Sequence, residues 1–277
     1  MSPAGVIIKR PARLVIPAFA AAILLGSFHA VAAPIMGSDL ASFAVLAGRT
    51  VTDTGLTTIT GNVGVSPGTA ITGTGSISIT GTTYTGVDAV GVSAQSQLVT
   101  TFTTLGNLGP GTTEPVNLSG LTLVPGVYTV PAGVSNLTGT LILDGKGIVN
   151  ATWVFKMPST FITSPGSVVD VVNTGTGGGI YWDVGSSATI DTTTSFEGNI
   201  LAVTNITLNH GATISCGRAL AQNGSVTMDT NTIDAGPCVG IQTSEPGSLA
   251  LLCGALGLLT VVLGRNSREC AALTSRP

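Results

Sequence analysis

The chain has 277 residues, a formal net charge of −3, and charged side chains at only 8% of its positions. An average globular protein has about 25%, and a weakly charged chain of this kind is not one that charge repulsion keeps disordered. Four scattered basic residues between positions 33 and 243 are too few to neutralise a nucleic-acid backbone. With about forty threonines, the composition predicts a β-rich exported protein with no nucleic-acid partner.

Residues 1–32 have the organisation of a signal peptide. Basic residues between positions 9 and 13 precede an apolar run at 14–28, and a small-residue cleavage pattern, Ala-Val-Ala, ends at Ala32. A short buried helix is the alternative interpretation. We predict that the exported chain begins near Ala33.

Residues 87–105 are predicted to form one long helix that ends before Gly106. Apolar side chains recur every three or four positions and form a single stripe. The stripe consists of Val87, Val90, Ala94, Leu98, Phe102 and Leu105. Such a helix would lie along the domain and close one face to ligands, and a dimerisation helix is the alternative.

Residues 151–233 contain a repeat of about 18 to 20 positions. Aligned copies place apolar residues in four columns, namely Trp182, Ile200 and Leu220; Ala188, Ile206 and Val226; Ile190, Leu208 and Met228; and Phe196, Ile214 and Ile233, with Phe155, Phe161, Thr163 and Val169 in an earlier copy. Short strands of period 2 within a fixed repeat predict a parallel β-solenoid of triangular section, with the columns as its core. A Greek-key sandwich, the alternative, does not predict a nearly constant interval.

Few residues in the exported domain suit catalysis or metal binding. Its only histidine, His210, lies in a predicted turn. Several acids could supply a carboxylate pair for glycoside hydrolysis, but their neighbours suggest turn positions; they are Asp144, Asp170, Asp183, Asp191, Glu197, Asp229 and Asp234. Cys216 and Cys238 are the two cysteines of this domain, and we predict one disulfide between them. We expect no metal, no cofactor and no enzymatic activity.

Residues 244–277 contain a second apolar run of about 17 residues, which is at the lower limit for crossing a bilayer. Ser244-Glu245-Pro246 precedes this run, and Arg265 and Arg268 follow it. The segment resembles the PEP-CTERM sorting signal of Gram-negative bacteria, although Ser244 replaces the first proline and the tail is longer. The resemblance implies a sorting protease as partner and a secreted or cell-surface location, and simple membrane anchoring is the alternative.

Residues from about Ser38 to Cys238 resemble the ice-binding protein family of bacteria, fungi and diatoms. The matching segments include "LASFAVLAGRTVTDTGLTTITGNVGVSPG", "GTLILDGKGIVNATWVFKMPSTFITSPGS" and "YWDVGSSATIDTTTSFEGNILAVTNITLNHGAT". The resemblance implies a mainly β fold: a right-handed, discontinuous β-solenoid over residues 33–243 with one long helix alongside. It also implies that one flat face binds ice.

Outward side chains next to the core columns form the predicted ice-binding face. Thr189, Thr207 and Thr227 stack as a ladder, with other polar residues beside it; these are Thr160, Ser187, Asn205 and Ser225. Ile162 interrupts the ladder in the earlier copy. Weaker candidates come from short threonine motifs, at Thr54, Thr57, Thr69, Thr72, Thr80 and Thr83. The alternative is that threonine is abundant here because it favours strands.

Three functions are compatible with these features. The first is non-catalytic binding of ice or ordered water at the cell surface. The second is a structural or adhesive role in an extracellular polysaccharide matrix, with exopolysaccharide as partner. The third, a carbohydrate-active enzyme on a β-helix, requires two acids that converge in a groove, which the sequence does not indicate.

Overall fold

The computed structural model describes residues 35–175 and 177–236. The predicted signal peptide, the predicted C-terminal sorting segment and Cys238 lie outside these residues. Across the described part of the chain, no helix is long and apolar enough to cross a membrane.

Two helices and 22 strands make up the described chain. The helices are α1 (Ser38–Ser42) and α2 (Ala89–Gly106). The strands are β1 (Phe43–Ala47), β2 (Thr50–Thr54), β3 (Thr57–Thr60), β4 (Asn62–Val65), β5 (Ala70–Thr72), β6 (Ile77–Ile79), β7 (Thr83–Thr85), β8 (Thr112–Thr113), β9 (Thr122–Leu123), β10 (Gly126–Thr129), β11 (Ser135–Leu137), β12 (Thr140–Asp144), β13 (Thr152–Met157), β14 (Phe161–Thr163), β15 (Val168–Val172), β16 (Gly179–Val184), β17 (Ala188–Ile190), β18 (Ser195–Ala202), β19 (Ile206–Leu208), β20 (Thr213–Ala221), β21 (Val226–Asp229) and β22 (Thr232–Asp234).

The strands stack in parallel into a solenoid with three faces. The threonine face is β11-β14-β17-β19-β21-β2-β5. The helix face is β8-β10-β13-β16-β18-β20-β1-β4-β7, where β18 and β20 contribute their C-terminal halves. The acidic face is β9-β12-β15-β18-β20-β22-β3-β6, where the same two strands contribute their N-terminal halves. The predicted β-solenoid is confirmed.

The order of coils along the axis differs from their order in the sequence. The N-terminal strands β1, β2 and β3 stack on β20, β21 and β22, which are the last strands of the domain. After β7 the chain enters α2, and the next strand, β8, pairs with β10 at the opposite end of the stack. A helix of 18 residues is about 27 Å long at 1.5 Å per residue, enough to pass roughly five strand spacings. Helix α2 therefore returns the chain along the solenoid.

Helix α2 covers the helix face, as predicted. Its buried side chains include Ala94, Leu98 and Leu105. They belong to one apolar cluster with outward residues of successive strands, namely Leu46, Leu220, Leu201, Tyr181, Val154 and Val127. The helix begins later than predicted because Asp88 caps it by accepting a hydrogen bond from the Val90 amide. Val87 precedes that cap and is 88% exposed, so it is not part of the buried stripe.

The core consists of the inward columns between the three faces. Aromatic rings stack from coil to coil, and the centroids of Phe155 and Trp182 lie 4.2 Å apart with ring planes at 11°. Trp182 pairs with Ile200 as predicted, but the next residue in that column is Ala219 and not Leu220. Leu220 instead belongs to the cluster that packs under α2.

Two extra residues, one in a bulge of β20 and one in the turn after it, cause this difference. The bulge lies at the vertex between the acidic and helix faces. The register shifts between Glu197 and Asn199, because two residues of β20 lie opposite Gly198. Gly198 has φ 103°, a conformation that favours glycine. A second extra residue lies in the turn after β20, because Val226 follows Ala221 by five positions and its partner Ile206 follows Ala202 by four. The alignment of repeats placed both extra residues before Leu220, so it misassigned the face of Leu220.

Candidate functional site

The threonine face has a central column of five threonines on consecutive strands. Register pairs join Thr189 to Thr207, Thr207 to Thr227, Thr227 to Thr52, and Thr52 to Thr72. Strands in a sheet are about 4.8 Å apart, so the column extends roughly 19 Å. Three of its members were predicted as a ladder, and Thr72 only as a separate weaker candidate. Thr52 was not predicted at all.

The alternation of each short strand fixes the outward direction of these threonines. On β17, Thr189 lies between Ala188 and Ile190, which are at most 1% exposed. The same burial pattern recurs on β19 and β21, where apolar residues flank the outward threonine. Because successive side chains of a strand point to opposite faces, burial of these neighbours leaves the threonine outside.

A second outward column lies two residues earlier, at the first residue of β2 and directly before the other strands. It contains the predicted residues Thr160, Ser187, Asn205 and Ser225, and it continues with Thr50. Polar groups in this column bond to one another between coils. Thr50 Oγ1 donates to Ser225 Oγ at 2.8 Å, and the Ser225 amide donates to Asn205 Oδ1 at 2.9 Å. These bonds fix the side chains beside the ladder.

The hydroxyl groups of the central column have no protein hydrogen-bond partner within the described residues. This holds for Thr52, Thr72, Thr189, Thr207 and Thr227. Since these hydroxyls are at the surface, their hydrogen-bonding capacity is directed to solvent. The face thus combines a fixed border with a central row that is free to bind water.

The carboxylates that border the threonine face lie along its other edge, and Arg49 is exposed in the turn before Thr50. Asn209 Nδ2 donates to Asp191 Oδ1 at 2.8 Å, and this bond, together with the Thr192 amide, lowers the pKa of Asp191. His210 Nδ1 lies 3.3 Å from Asp229 Oδ1, in an exposed position. These groups follow the ladder residues by two or three positions, so they border the central column without entering it.

The ladder ends at β14. Thr189 is paired with Ile162, and Ile162 with Asn136. The predicted interruption at Ile162 is therefore a real boundary, and Thr160 lies beside it in the second column. The continuous row of threonines runs from β17 to β5, toward the coils formed by the N-terminal strands.

The weaker threonine candidates do not lie on one surface. Thr54 and Thr72 lie on the threonine face. Thr57 is 1% exposed and donates to Asp53 Oδ1 at 2.6 Å, so it is an interior corner residue and not part of any exposed face. Thr80 follows β6, where its hydroxyl accepts from the Gly61 amide, and Thr83 is on β7 of the helix face. Thr69 is exposed in the turn before β5.

The acidic face also has a column of hydroxyl side chains, namely Ser195, Thr213, Thr232, Thr58 and Ser78. Three carboxylates lie beside this column on the same face. They are Asp170 on β15, Glu197 on β18 and Asp234 on β22. Burial, with the charge of Asp170, raises the pKa of Glu197 to about 7. Carboxylates next to the hydroxyl row distinguish this face from the threonine face.

Cys216 follows the N-terminal half of β20, which belongs to the acidic face. It is disulfide-bonded, and its Sγ lies 3.7 Å from Glu197 Oε2. The predicted partner, Cys238, is outside the described residues, so the pairing stays a prediction.

The end of α2 forms a cavity of about 480 Å³ with the helix face. Lys156 Nζ donates to the carbonyl oxygens of Gly106 and Gly109, at 2.9 and 2.6 Å, and so caps the helix. Burial raises the pKa of Asp183, which lines this cavity, to about 6, and the charge of Lys156 partly opposes that rise. The cavity contains one carboxylate and no histidine or cysteine.

The acids considered for glycoside hydrolysis are distributed over all three faces. Asp183 lies on the helix face, Asp191 and Asp229 on the edge of the threonine face, and Asp170 and Glu197 on the open acidic face. Among the described residues, no group of three or more His, Cys, Asp or Glu side chains could hold a metal ion. This geometry gives no support to a catalytic groove.

The chain is a three-sided parallel solenoid with one flanking helix and an uncharged threonine row on one of its two uncovered faces. These features define a class of β-solenoid proteins that present an ordered outward grid of side chains. The family model described as Ice-binding-like matches residues 45–234. The chain belongs to this family, as its sequence indicated.

Named relatives and solved structures agree with this assignment. The chain is 46% identical over 193 residues to an ice-binding protein of Nostoc sp. (strain HG1), covering 69% of this chain and 71% of that protein. It is 30% identical over 216 residues to an ice-binding protein of Flavobacterium frigoris (strain PS1), covering 70% of this chain and 73% of the relative. The crystal structure of an ice-binding protein from an Antarctic biological consortium is similar, with a TM-score of 0.67 and 38% identity over 73% of this chain and 91% of that one. A structure from the ascomycete Antarctomyces psychrotrophicus gives a TM-score of 0.68 and 33% identity, over 73% and 98% of the two chains.

Proposed function

We propose that this protein binds ice without catalysis or cofactor, and that the threonine face is the binding surface. The observation that carries the proposal is the row of five threonines in register whose hydroxyls have no partner among the described residues. Relatives that are named ice-binding proteins support ice as the ligand.

The arrangement suits an ordered form of water. Outward residues repeat about 4.8 Å apart between strands and roughly 6.6 Å apart along a strand, which makes a two-dimensional grid. The β-branch of threonine restricts χ1, so little side-chain entropy is lost when the grid meets an ordered lattice. The methyl groups cover apolar area, while the hydroxyls join the hydrogen-bond network of the water layer.

The other two faces are less suitable for this ligand. Helix α2 covers the helix face. The acidic face has free hydroxyls but also Asp170, Glu197 and Asp234. A carboxylate binds its own hydration shell strongly, and that shell competes with the geometry of an ice surface.

Bulky substitutions on matched positions test this assignment. We compare Thr207→Tyr/Thr227→Tyr on the threonine face with Thr213→Tyr/Thr232→Tyr on the acidic face, because each pair occupies neighbouring strands and has similar exposure. Thermal hysteresis and inhibition of recrystallisation are measured for the full chain, and circular dichroism checks the fold. We expect loss of most activity in the first variant and near wild-type activity in the second. The reverse result would assign ice binding to the acidic face.

We further propose that the protein is exported and displayed at the cell surface of a Gram-negative bacterium. The support is the sequence pattern of residues 1–32 and 244–277. Contact with exopolysaccharide and processing by a sorting protease belong to the same proposal. Mass determination of the N and C termini of protein purified from the surface of its host tests both cleavage events.

A further inference from the structure

The chain enters and leaves the described domain at one vertex of the solenoid. The entering segment, α1, leads into β1 on the helix face, and the last strand, β22, belongs to the acidic face. The start of β1 and the end of β22 therefore both lie at the vertex between the helix face and the acidic face. A three-sided coil has one vertex that does not border the threonine face, and it is this one.

Arg218 joins the two ends of the chain at this vertex. Its Nη2 donates to the carbonyl oxygens of Ala41 and Ala235, at 2.7 and 2.9 Å. Its Nε also donates to Ala41, and its Nη1 donates to Asn199 Oδ1 at 2.8 Å. The planar guanidinium has several donors in fixed directions, so it ties entry, exit and an intermediate coil into one rigid unit.

We infer that the protein acts on ice as a tethered molecule, attached through this vertex so that the threonine face points away from the supporting surface. The inference rests on the proposed function, because it assigns a direction to the proposed ice-binding face. The described chain ends at Ala235 and Gly236 on this vertex, so residues 237–277 begin on the side of the solenoid away from the threonines.

The geometry favours this role because an ice crystal is much larger than the domain. A flat face about 19 Å long can meet such a crystal only when nothing projects beyond its plane. A tether on the threonine face, or at a turn that borders it, would place the support on the same side as the ice. The observed vertex is the position that separates the two most completely.

Immobilisation at defined positions tests the inference. The full chain carries a biotin-acceptor peptide after Pro277 and is fixed to streptavidin beads. A second sample is fixed at equal density by a short linker to Asn223→p-azidophenylalanine, in the exposed turn between β20 and β21 that borders the threonine face. The readout is the fraction of beads incorporated into slowly growing ice, relative to bare beads. The unattached forms of both proteins are assayed for thermal hysteresis.

We expect both unattached proteins to be active, and beads attached at the C terminus to be incorporated severalfold more than beads attached at position 223. Exclusion of the C-terminally attached beads, with an active unattached protein, would overturn the inference and leave the proposed function intact. Equal incorporation of the two bead samples would overturn it as well. An inactive unattached wild type would overturn the proposed function and this inference with it.

Discussion

Thr50 donates a hydrogen bond of 2.8 Å to Ser225, although 175 positions separate the two residues in the sequence. This bond crosses the junction at which the N-terminal coils stack on the C-terminal coils. The central threonine row crosses the same junction between Thr227 and Thr52. The proposed binding surface is therefore assembled from both ends of the domain.

Thr52→Tyr should reduce ice binding as strongly as Thr207→Tyr does, because both residues belong to one continuous row. Thr58→Tyr, on the acidic face, is the matched control from the same N-terminal coil. Thermal hysteresis at equal protein concentration measures the effect. Full activity of the Thr52 variant would limit the surface to the C-terminal coils.

Arg218→Met should destabilise the domain, because it leaves the carbonyl oxygens of Ala41 and Ala235 without this donor. A fully buried acceptor that loses its partner costs about 1–3 kcal/mol, and these half-buried carbonyls should lie at the lower end of that range. Urea unfolding measures the free energy, and hydrogen exchange of α1 reports whether the entering segment loosens. Arg49→Met, at an exposed position, should change stability by less than about 0.5 kcal/mol. Equal stability of the two variants would show that the Arg218 clamp contributes nothing.

Trp182→Ala should cost about 3–5 kcal/mol, because it removes a fully buried ring from the core. The ring stacks on Phe155 and lies 4.9 Å from Phe196, so the cavity would extend across neighbouring coils. Thermal and urea unfolding provide the measurement. Val92→Ala, on the outer side of α2 and 47% exposed, is the control. A loss below about 1 kcal/mol for Trp182→Ala would mean that the coils collapse to fill the space.

Stability should fall as pH rises through the range in which Glu197 ionises. The pKa of Glu197 is raised to about 7 from an ordinary 4.5, so the folded protein binds this proton more tightly than the unfolded chain does. This proton therefore stabilises the fold at pH values below the pKa of Glu197 in the unfolded chain. The stabilisation is lost as the pH rises through the pKa of Glu197 in the folded protein. Asp183, with its pKa raised to about 6, acts in the same direction.

Melting temperatures across this range and at more acid pH measure the effect. Glu197→Gln should flatten the decrease with rising pH, because its side chain does not ionise. Asp191→Asn is the control with the opposite sign. The pKa of Asp191 is lowered in the folded protein, so its ionised carboxylate stabilises the fold above its pKa in the unfolded chain, and that stabilisation is lost in acid. A melting curve of Glu197→Gln that follows the wild type at every pH would contradict the assignment.

The sequence predicted the parts of the fold that depend on local pattern. The columns through Ala188, Ile206 and Val226 were predictable because a fixed repeat places their side chains on successive rungs. The register of Leu220 was not, because the copies shift by one residue opposite Gly198 and by another in the turn after β20, and the apolar pattern does not locate the two shifts. The helix was found from its stripe, but the exposure of Val87 depends on the cap formed by Asp88.

The candidate site was predictable only in its C-terminal half. Thr189, Thr207 and Thr227 lie in copies that follow one another in the sequence, whereas Thr52 joins them through pairing between distant segments. The alternation in "TVTDT" at 50–54 is the one local signal for Thr52. The short motif that suggested Thr57 could not reveal its bond to Asp53, because that contact forms inside a corner.

The discontinuous order of coils also determines when the domain can be completed. Strands β1 to β3 leave the ribosome first, yet one edge of each pairs with β20, β21 or β22 near the end of the chain. Such distant contacts make folding slow, since closing a long loop costs entropy before the pairing compensates for it. The first coils must wait until translation has delivered their neighbours, so this part of the fold stays incomplete until synthesis of the domain is nearly over.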